Sequence, residues 1–464
     1  MIGWDISTKG SQEMPSNPSA DTKGDGCRRV KQGRSAPKQE AAEAGPSSDT
    51  VIAKGGTSLP RGSKTICIPC DPERYPELVK SDECFRRHVD DLYAQYPELF
   101  PQVMGEGYQC HDIRAPSVKL GIRLRRIKLV ATKEVFSVCP SFVMPYMTGM
   151  TSDVGHALFL QGFGVPSWAL TRVFGRNDMY WYRLATAFGR NSIVGTTVKH
   201  PEDLPKDLLA DEKHTQHGGE KVYVATTVGN DCILGAAMCQ GADSEALTQG
   251  YGVFAEEARN LDPDYQAETV NTDGWGATQN AWTALFGQIV IIQCFLHAFI
   301  KVRARCKKWG DLFTEISTLV WNAYHASNKR AFSQRIRRLR EWAQESLDEG
   351  VVLNKLMALC EKAPLFAQAY DHPNSHRTSN MVDRLMRWQD RFLFNRQYLH
   401  RSWEAAELGI RAWAILRNFR PYCPRAIGKR TDGNCAAQRI NGFRYCDDWL
   451  ENLRVSTSMG GYRQ

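Results

Sequence analysis

The sequence predicts an α/β protein organised on one mixed sheet, and three observations carry that expectation. Residues 208–211 (LLAD), 221–228 (KVYVATTV) and 232–239 read as successive strands, with Gly229-Asn230 as a turn before the last. Helix and strand signals then alternate: a helical run over 244–260, a strand at 269–272 and another at 289–292. A meander followed by helix-linked strands puts antiparallel and parallel pairs in one sheet. Finally, Asp211 closes the first strand run, Asp273 follows the fourth, and Asp383 opens a long amphipathic helix.

The flanking segments follow in order. Residues 1–64 are rich in Ser, Gly, Pro, Lys and Ala and have too little apolar surface to offset their ordering entropy, so they are expected to be disordered. Residues 65–150 mix a helix over 84–96 with extended pieces at 125–131 and 135–138, and the proline-broken stretch 139–146 reads as a rigid connector. In residues 151–206, Pro166-Ser167 begin a helix, Gly175 ends it and Asn177-Asp178 cap the next. Trp168 and Phe174 are expected to pack on Tyr180, Trp181 and Leu184. Helix, tight turn, helix is the layout of a helix-turn-helix DNA reader, with a plain helical linker as the alternative. Residues 207–298 hold the first part of the core, 299–376 a helical insertion, and 377–425 the final core helices. There Met381, Leu385, Trp388 and Phe392, then Trp403, Ala406, Ile410 and Trp413, recur at helical spacing. Residues 426–464 read as a C-terminal tail.

A chain of 464 residues exceeds the usual limit of one core, and a hydrophobic fraction of 42% is ample for burial. The net charge of +8 is unevenly spread: residues 301–345 carry eleven Lys/Arg against four Asp/Glu, which suggests contact with phosphates. Fourteen scattered cysteines with no apolar leader before them fit reduced thiols. The apolar stretch 287–300 is interrupted by Gln288, Gln293 and His297 and is too short to span a bilayer. The expectation is a soluble cytoplasmic protein, nucleoid-associated if its host is prokaryotic, with no membrane partner.

Three separated carboxylates are how a nuclease gathers oxygen ligands for divalent metals. Oxygen donors suit Mg²⁺ and Mn²⁺, and two such ions about 3.5–4 Å apart clamp the attacking and leaving oxygens of a phosphodiester. Each aspartate also has a plainer reading. Asp211 and Asp273 could be strand-ending turns, and Asp383 could sit at N3 of a helix capped by Asn380, where an acid favours the dipole. Cys294-Phe-Leu-His297 lies between the last two; alone, such a pair is more often a packed thiol and a hydrogen-bonded imidazole than a metal site. The sequence contains no GxxxxGK[ST] loop and no strand-borne GxGxxG, which argues against ATP-driven or nicotinamide-dependent chemistry.

Taken together, four motifs resemble the DDE/D transposases of insertion sequences, which have an RNase H-like catalytic domain. The pattern is nearest to the branch with a C/D(2)H signature and a helical insertion, which includes the Mutator-like elements. The motifs are Asp211-Glu212, then Asp273-Gly274-Trp275 62 residues later, then Cys294-x-x-His297 beginning 21 residues after Asp273. The fourth, Thr378-Ser379-Asn380-x-x-Asp383, is similar to a T-N-N-x-x-E helix opening, and its acid lies 110 residues after Asp273, leaving room for the insertion. The resemblance covers roughly residues 208–422. It implies two Mg²⁺ or Mn²⁺ ions held by Asp211, Asp273 and Asp383, cleavage at transposon terminal inverted repeats, and transfer of the 3′-OH into target DNA. It also implies a homo-oligomer holding two ends. Cys294 and His297 are implied as a family signature; thiol and imidazole suit hard cations poorly. Two departures stand out: the third acid is Asp where Glu is commoner, and Asp390 occupies a place that is often basic, with Arg384, Arg387 and Arg391 nearby.

Two further groups are candidates. Cys67-x-x-Cys70 followed by Cys84-x3-His88 has the spacing of a small structural zinc site, although Pro69 interrupts the first pair; His111, His214 and His217 have no ligand spacing. For DNA, the candidates are Lys301, Arg303, Arg337, Arg338, Arg340 and Arg387, with Arg305 beside them and Trp309, Trp321 and Trp342 as possible stacking platforms. Rival readings are an RNase H-like nuclease without strand transfer and a domesticated DNA-binding protein without activity.

Overall fold

A computed structural model describes residues 63–306, 310–427 and 433–462 of the chain. The expectation of disorder for residues 1–64 therefore falls almost wholly outside the described residues. The described chain begins with a four-stranded sheet made of β1 (Thr65–Ile68), β2 (Tyr108–Ile113), β3 (Arg125–Leu129) and β4 (Val135–Pro140), in the order β1-β4-β3-β2. β1 runs parallel to β4, and the other pairs are antiparallel. Two helices, α1 (Tyr75–Lys80) and α2 (Asp82–Gln95), follow β1. Phe85 and Val89 of α2 pack on Ile127, Leu129, Phe136 and Val138 of the sheet. The helix expected over 84–96 starts two residues earlier because the Ser81 hydroxyl accepts the Cys84 N–H.

Short helices follow: α3 (Thr151–Gln161), α4 (Ser167–Phe174), α5 (Asp178–Thr186) and α6 (Ile193–Thr197). Gly175 ends α4, and the Asn177 side chain caps α5 by accepting the Tyr180 N–H, as the sequence predicts. Phe174 packs edge-on against Trp181, but Trp168 is 66% exposed and so does not join that cluster. Trp181, Leu184, Ala185 and Thr186 of α5 are buried, so the second helix of the pair does not stand free of the core.

The larger sheet is mixed, as expected. Its elements are β5 (Asp207–His217), β6 (Glu220–Gly229), β7 (Cys232–Cys239), α7 (Ser244–Leu261), β8 (Thr269–Thr272), α8 (Gly276–Leu285) and β9 (Val290–Gln293), and its strand order is β7-β6-β5-β8-β9. β5, β6 and β7 form the antiparallel meander; β8 and β9 run parallel to β5. One expectation needs correcting: β5 does not end at Asp211 but continues to His217. Residues 212–217 are polar and look like a turn, yet each pairs with β6 through a hairpin closed by Gly218-Gly219, both at positive φ.

Beyond β9 the chain is helical. This stretch comprises α9 (Phe295–Cys306), α10 (Gly310–Tyr324), α11 (Lys329–Ser346), α12 (Val351–Glu361) and α13 (Ala363–Ala367). It has its own core, in which Phe299, Val302, Val320, Phe332, Ile336 and Leu356 are buried. The chain then returns to the sheet as α14 (Asn380–Asn395) and α15 (Trp403–Phe419). Period-two alternation divides the two faces of the sheet. Leu208, Ala210, Ala225 and Leu234 pack towards Tyr251, Phe254 and Trp282 of α7 and α8. Leu209, Val222, Val224 and Val228 pack with Val382, Leu385 and Ile410 of α14 and α15, and with the α3–α5 helices. The region read as a separate DNA reader thus shares a core with the sheet.

After α16 (Pro424–Ile427), the segment read as a tail folds as α17 (Ala436–Asn441) and α18 (Trp449–Ser456). Val455 and Met459 enter the core of the first sheet, and Ser63 N–H donates to Met459 O at 3.0 Å. Among the described residues no helix is long and apolar enough to cross a membrane.

Candidate active site

β5 and β8 pair in parallel only as far as Leu209 opposite Asn271. Beyond that the strands part, and Asp211 and Asp273 stand at the fork, Asp273 one residue past the end of β8. Asp211 has the same parity as Leu209, which turns it towards the α14 face of the sheet, and Asp383 lies in the first turn of α14. The sheet therefore brings the three acids to one end and one face. Burial, then the negative charges of Glu212, Asp273 and Asp383, push the Asp211 carboxyl from 3.8 up to about 7, while its bond from the Glu212 N–H works the other way.

The Asp273 turn has a sequence requirement. Asp273 Oδ1 accepts the Trp275 N–H at 2.8 Å, which starts α8. Gly274 sits at φ +93°, and a Cβ there would lie 1.7 Å from Gln293 Nε2. Only glycine fits a left-handed position crossed so closely by the neighbouring strand. This is the physical content of the Asp-Gly-Trp motif.

The Asp383 end is built differently from the sequence expectation. The residue preceding α14 is Ser379, not Asn380, and Asp383 N–H donates to Ser379 O at 2.9 Å. The Ser379 hydroxyl donates to Asp383 Oδ2 at 3.0 Å, lies 3.2 Å from His297 Nδ1 and is 3.3 Å from Cys294 Sγ. Ser379 N–H donates to the same sulfur at 3.2 Å. Cys294 and His297 thus converge on the residue that orients the third acid. Burial raises the Cys294 thiol, but hydrogen bonds with His297 and Ser379 outweigh it and leave the group below its ordinary value. The bond with Cys294, opposed by burial and helped by the charges of Cys294, Asp383 and Asp211, raises His297 to about 9.

Two residues to which the sequence assigned no role of their own complete the surroundings. Glu212 points to the opposite face, where its Oε1 accepts the Tyr251 and Thr278 hydroxyls at 2.6 Å each. Lys213, two positions after Asp211 on the α14 side, forms an ion pair with Asp390. A basic group supplied by β5 therefore reaches Asp390. Alternation around Asp211 would have suggested both roles, but neither partner is local in sequence.

The donor set suits a hard cation in kind. It consists of three carboxylates, none in an ion pair with Lys, Arg or His among the described residues, and burial, with the neighbouring negative charges, raises one of them to about 7. As they stand, no three His, Cys, Asp or Glu side chains among the described residues are gathered tightly enough to hold an ion. The same holds for Cys67, Cys70, Cys84 and His88, which do not form a ligand set: Cys67 is buried towards Cys139, whereas Cys84 is exposed at the start of α2. Local spacing cannot register that Cys67 is taken up by a partner far along the chain.

Of the candidate DNA contacts, Lys301, Arg303, Arg337, Arg338, Arg340 and Arg387 are all exposed, and Arg305 as well. Trp309 lies outside the described residues. Trp321 packs with Phe295, Phe299 and Tyr324, and the Trp342 indole donates to Glu315, so both serve the insertion. A second basic feature was not expected. Two adjoining clefts of about 730 and 620 Å³ share Pro145, Tyr146, Ala187 and Arg190. Arg114, Lys119, Arg183 and Arg190 line them with Tyr146 and Tyr182, and no Asp or Glu does among the described residues. No protein-family model and no curated protein matches this chain.

Proposed function

We propose that the chain is a DDE/D-type transposase with an RNase H-like core, cleaving DNA at transposon ends and joining the 3′-OH to target DNA. The observation that carries this reading is that β5, the turn after β8 and the first turn of α14 deliver Asp211, Asp273 and Asp383 to one end and one face of the sheet. The strand order β7-β6-β5-β8-β9, a three-strand meander with two parallel strands added beside its first member, supports it. The helical insertion between β9 and α14 does so too.

Two bound Mg²⁺ or Mn²⁺ ions would supply Lewis-acid polarisation of water and neutralise charge on the phosphate oxygens. Asp211 and Asp273 are the residues to hold them from the sheet, and Asp383 from α14. Ser379 fixes the Asp383 carboxylate, and the Gly274 turn fixes Asp273. DNA is the proposed partner, with the exposed arginines of α11 and the carboxylate-free clefts as phosphate-facing surfaces. A homo-oligomer holding two ends and a cytoplasmic or nucleoid setting complete the proposal.

Asp273→Asn tests the reading, because an amide is a far weaker ligand for a hard cation. The variant should bind transposon-end DNA and fail to cut it. Mg²⁺-dependent cutting by the variant would overturn the assignment. Wild-type products separate the rivals: joining of a cut end to a second DNA marks a transposase, cutting alone marks a nuclease, and binding alone marks an inactive DNA-binding protein.

A further inference from the structure

Far along the chain from the acids, Arg454 of α18 is buried beneath the first sheet, only 4% exposed. Its Nε donates to Val143 O at 2.9 Å and its Nη1 to Thr457 Oγ1 at 3.0 Å. The remaining nitrogen, Nη2, points at two sulfurs: Cys67 Sγ at 3.4 Å and Cys139 Sγ at 3.8 Å. Among the described residues no carboxylate pairs with Arg454; the nearest acid along α18, Glu451, is engaged by the Ser141 and Thr151 hydroxyls. A buried guanidinium without a counter-ion is strongly disfavoured, so the sulfurs must supply the negative charge.

The two cysteines are register partners on the parallel strands β1 and β4. Neighbouring strands lie roughly 4.8 Å apart, inside the Cα separation of about 4.4–6.8 Å that a disulfide spans. Both sulfur-bearing residues and Arg454 line the 730 Å³ cleft, which gives a small molecule a route to them. The hydrogen bond between the two sulfurs, then burial and the Cys67 charge, raise Cys139, whereas the same bond and Arg454 hold Cys67 low, so one proton is retained by Cys139. A cation in this place would face the guanidinium, which disfavours a metal.

We propose that Cys67 and Cys139 are a redox modification site, a thiolate–thiol pair held by Arg454 that a small hydroperoxide converts into a disulfide. The Cys67 sulfur attacks the peroxide: an S–O bond forms, the O–O bond breaks, and the departing alkoxide takes a proton from water, releasing hydroxide to solvent and leaving a sulfenic acid. Cys139 then attacks that sulfur. The S–S bond forms, the S–O bond breaks, and hydroxide leaves as water with the Cys139 proton. The two cysteines give up two electrons and the peroxide is reduced to an alcohol and water. The disulfide is neutral, so oxidation removes the counter-ion of Arg454 and loosens α18 from the first sheet.

The test treats the full chain with tert-butyl hydroperoxide and maps cysteines by mass spectrometry. The wild type should yield a peptide linking residues 67 and 139. Cys139→Ser should stop at a sulfenic acid on Cys67, trapped by a 1,3-dicarbonyl probe. In the untreated protein, iodoacetamide should label Cys67 about tenfold faster than Cys232, which is equally buried but has no adjacent guanidinium hydrogen bond. Amide exchange over residues 450–459 should speed up after oxidation. Recovery of Cys67 and Cys139 as free thiols while the exposed Cys84 and Cys423 are oxidised would overturn the proposal, and so would equal labelling of Cys67 and Cys232. The wild-type measurements stand even if a variant fails to fold.

Discussion

Ser379 donates its hydroxyl to Asp383 one helical turn away, at 3.0 Å, while the same oxygen meets Cys294 and His297. One small side chain therefore ties the signature pair to the third acid. Ser379→Ala should leave the fold intact and slow DNA cleavage. Loss of a hydrogen bond to a charged group costs about 1.5–3 kcal/mol, and if that is expressed in the transition state the rate falls about ten- to a hundredfold. Cleavage at wild-type rate by a folded Ser379→Ala protein would show that the hydroxyl does not orient the acid.

The His297–Cys294 pair predicts a pH signature in stability. His297 titrates near 9 in the fold against 6.5 ordinarily, so its contribution is complete below about 6.5 and is lost as pH rises through about 9. Cys294, held low, contributes in the opposite sense: its share is present above the ordinary thiol value and fades as pH falls through the depressed one. Urea midpoints for wild type and His297→Asn should differ most below about pH 6.5 and converge as pH rises through about 9. A gap that widens above pH 9 would contradict the pairing.

Gly274→Ala should be costly on two counts, the positive φ and the clash with the Gln293 amide. A residue forced into a sparsely populated backbone region costs about 1–3 kcal/mol. The measurable result is a lowered urea midpoint together with weakened cleavage, because the same turn aims Asp273. Gly276→Ala is the control, since nothing lies within 4 Å of a Cβ there.

Neutralising Arg337, Arg338 and Arg340 together should weaken binding to transposon-end DNA. Their exposed side chains lie on the outer face of α11, with only Arg337 in an ion pair, to Glu341. The slope of binding against salt should flatten by about one unit per lost phosphate contact. An unchanged slope in the folded variant would mean this face never meets the backbone.

The parts of this fold written in short-range patterns were legible in the sequence. Thr269–Thr272 is the strand the apolar run predicts, and Gly175 and Asn177 end and cap their helices as expected. Asp211 was misplaced to a strand end because DEKHTQH has no apolar alternation of its own; its partner strand and the Gly218-Gly219 turn make it a strand. The cap of α14 differs for a similar reason: Asn and Ser are comparable caps, and the tertiary contact of the Ser379 N–H with Cys294 selects Ser379. Cys67 has zinc-like spacing to Cys70, yet its sulfur answers to Arg454, 387 residues away. No local period encodes that distance.

The bond from Cys67 N–H to Ser458 Oγ spans 391 residues and sits at the rim of the first sheet. A ribosome working at about 5–20 residues per second needs roughly 20–80 seconds to cover that interval. Throughout that time the earliest-made strand lacks the neighbour that finally covers it, and Met459 and Val455, which complete its core, do not yet exist. Translation thus acts as a timer: the first sheet reaches its final packing only after residue 459 has been made. A premature stop codon anywhere before residue 455 should therefore leave the first sheet without Val455 and Met459 in its core.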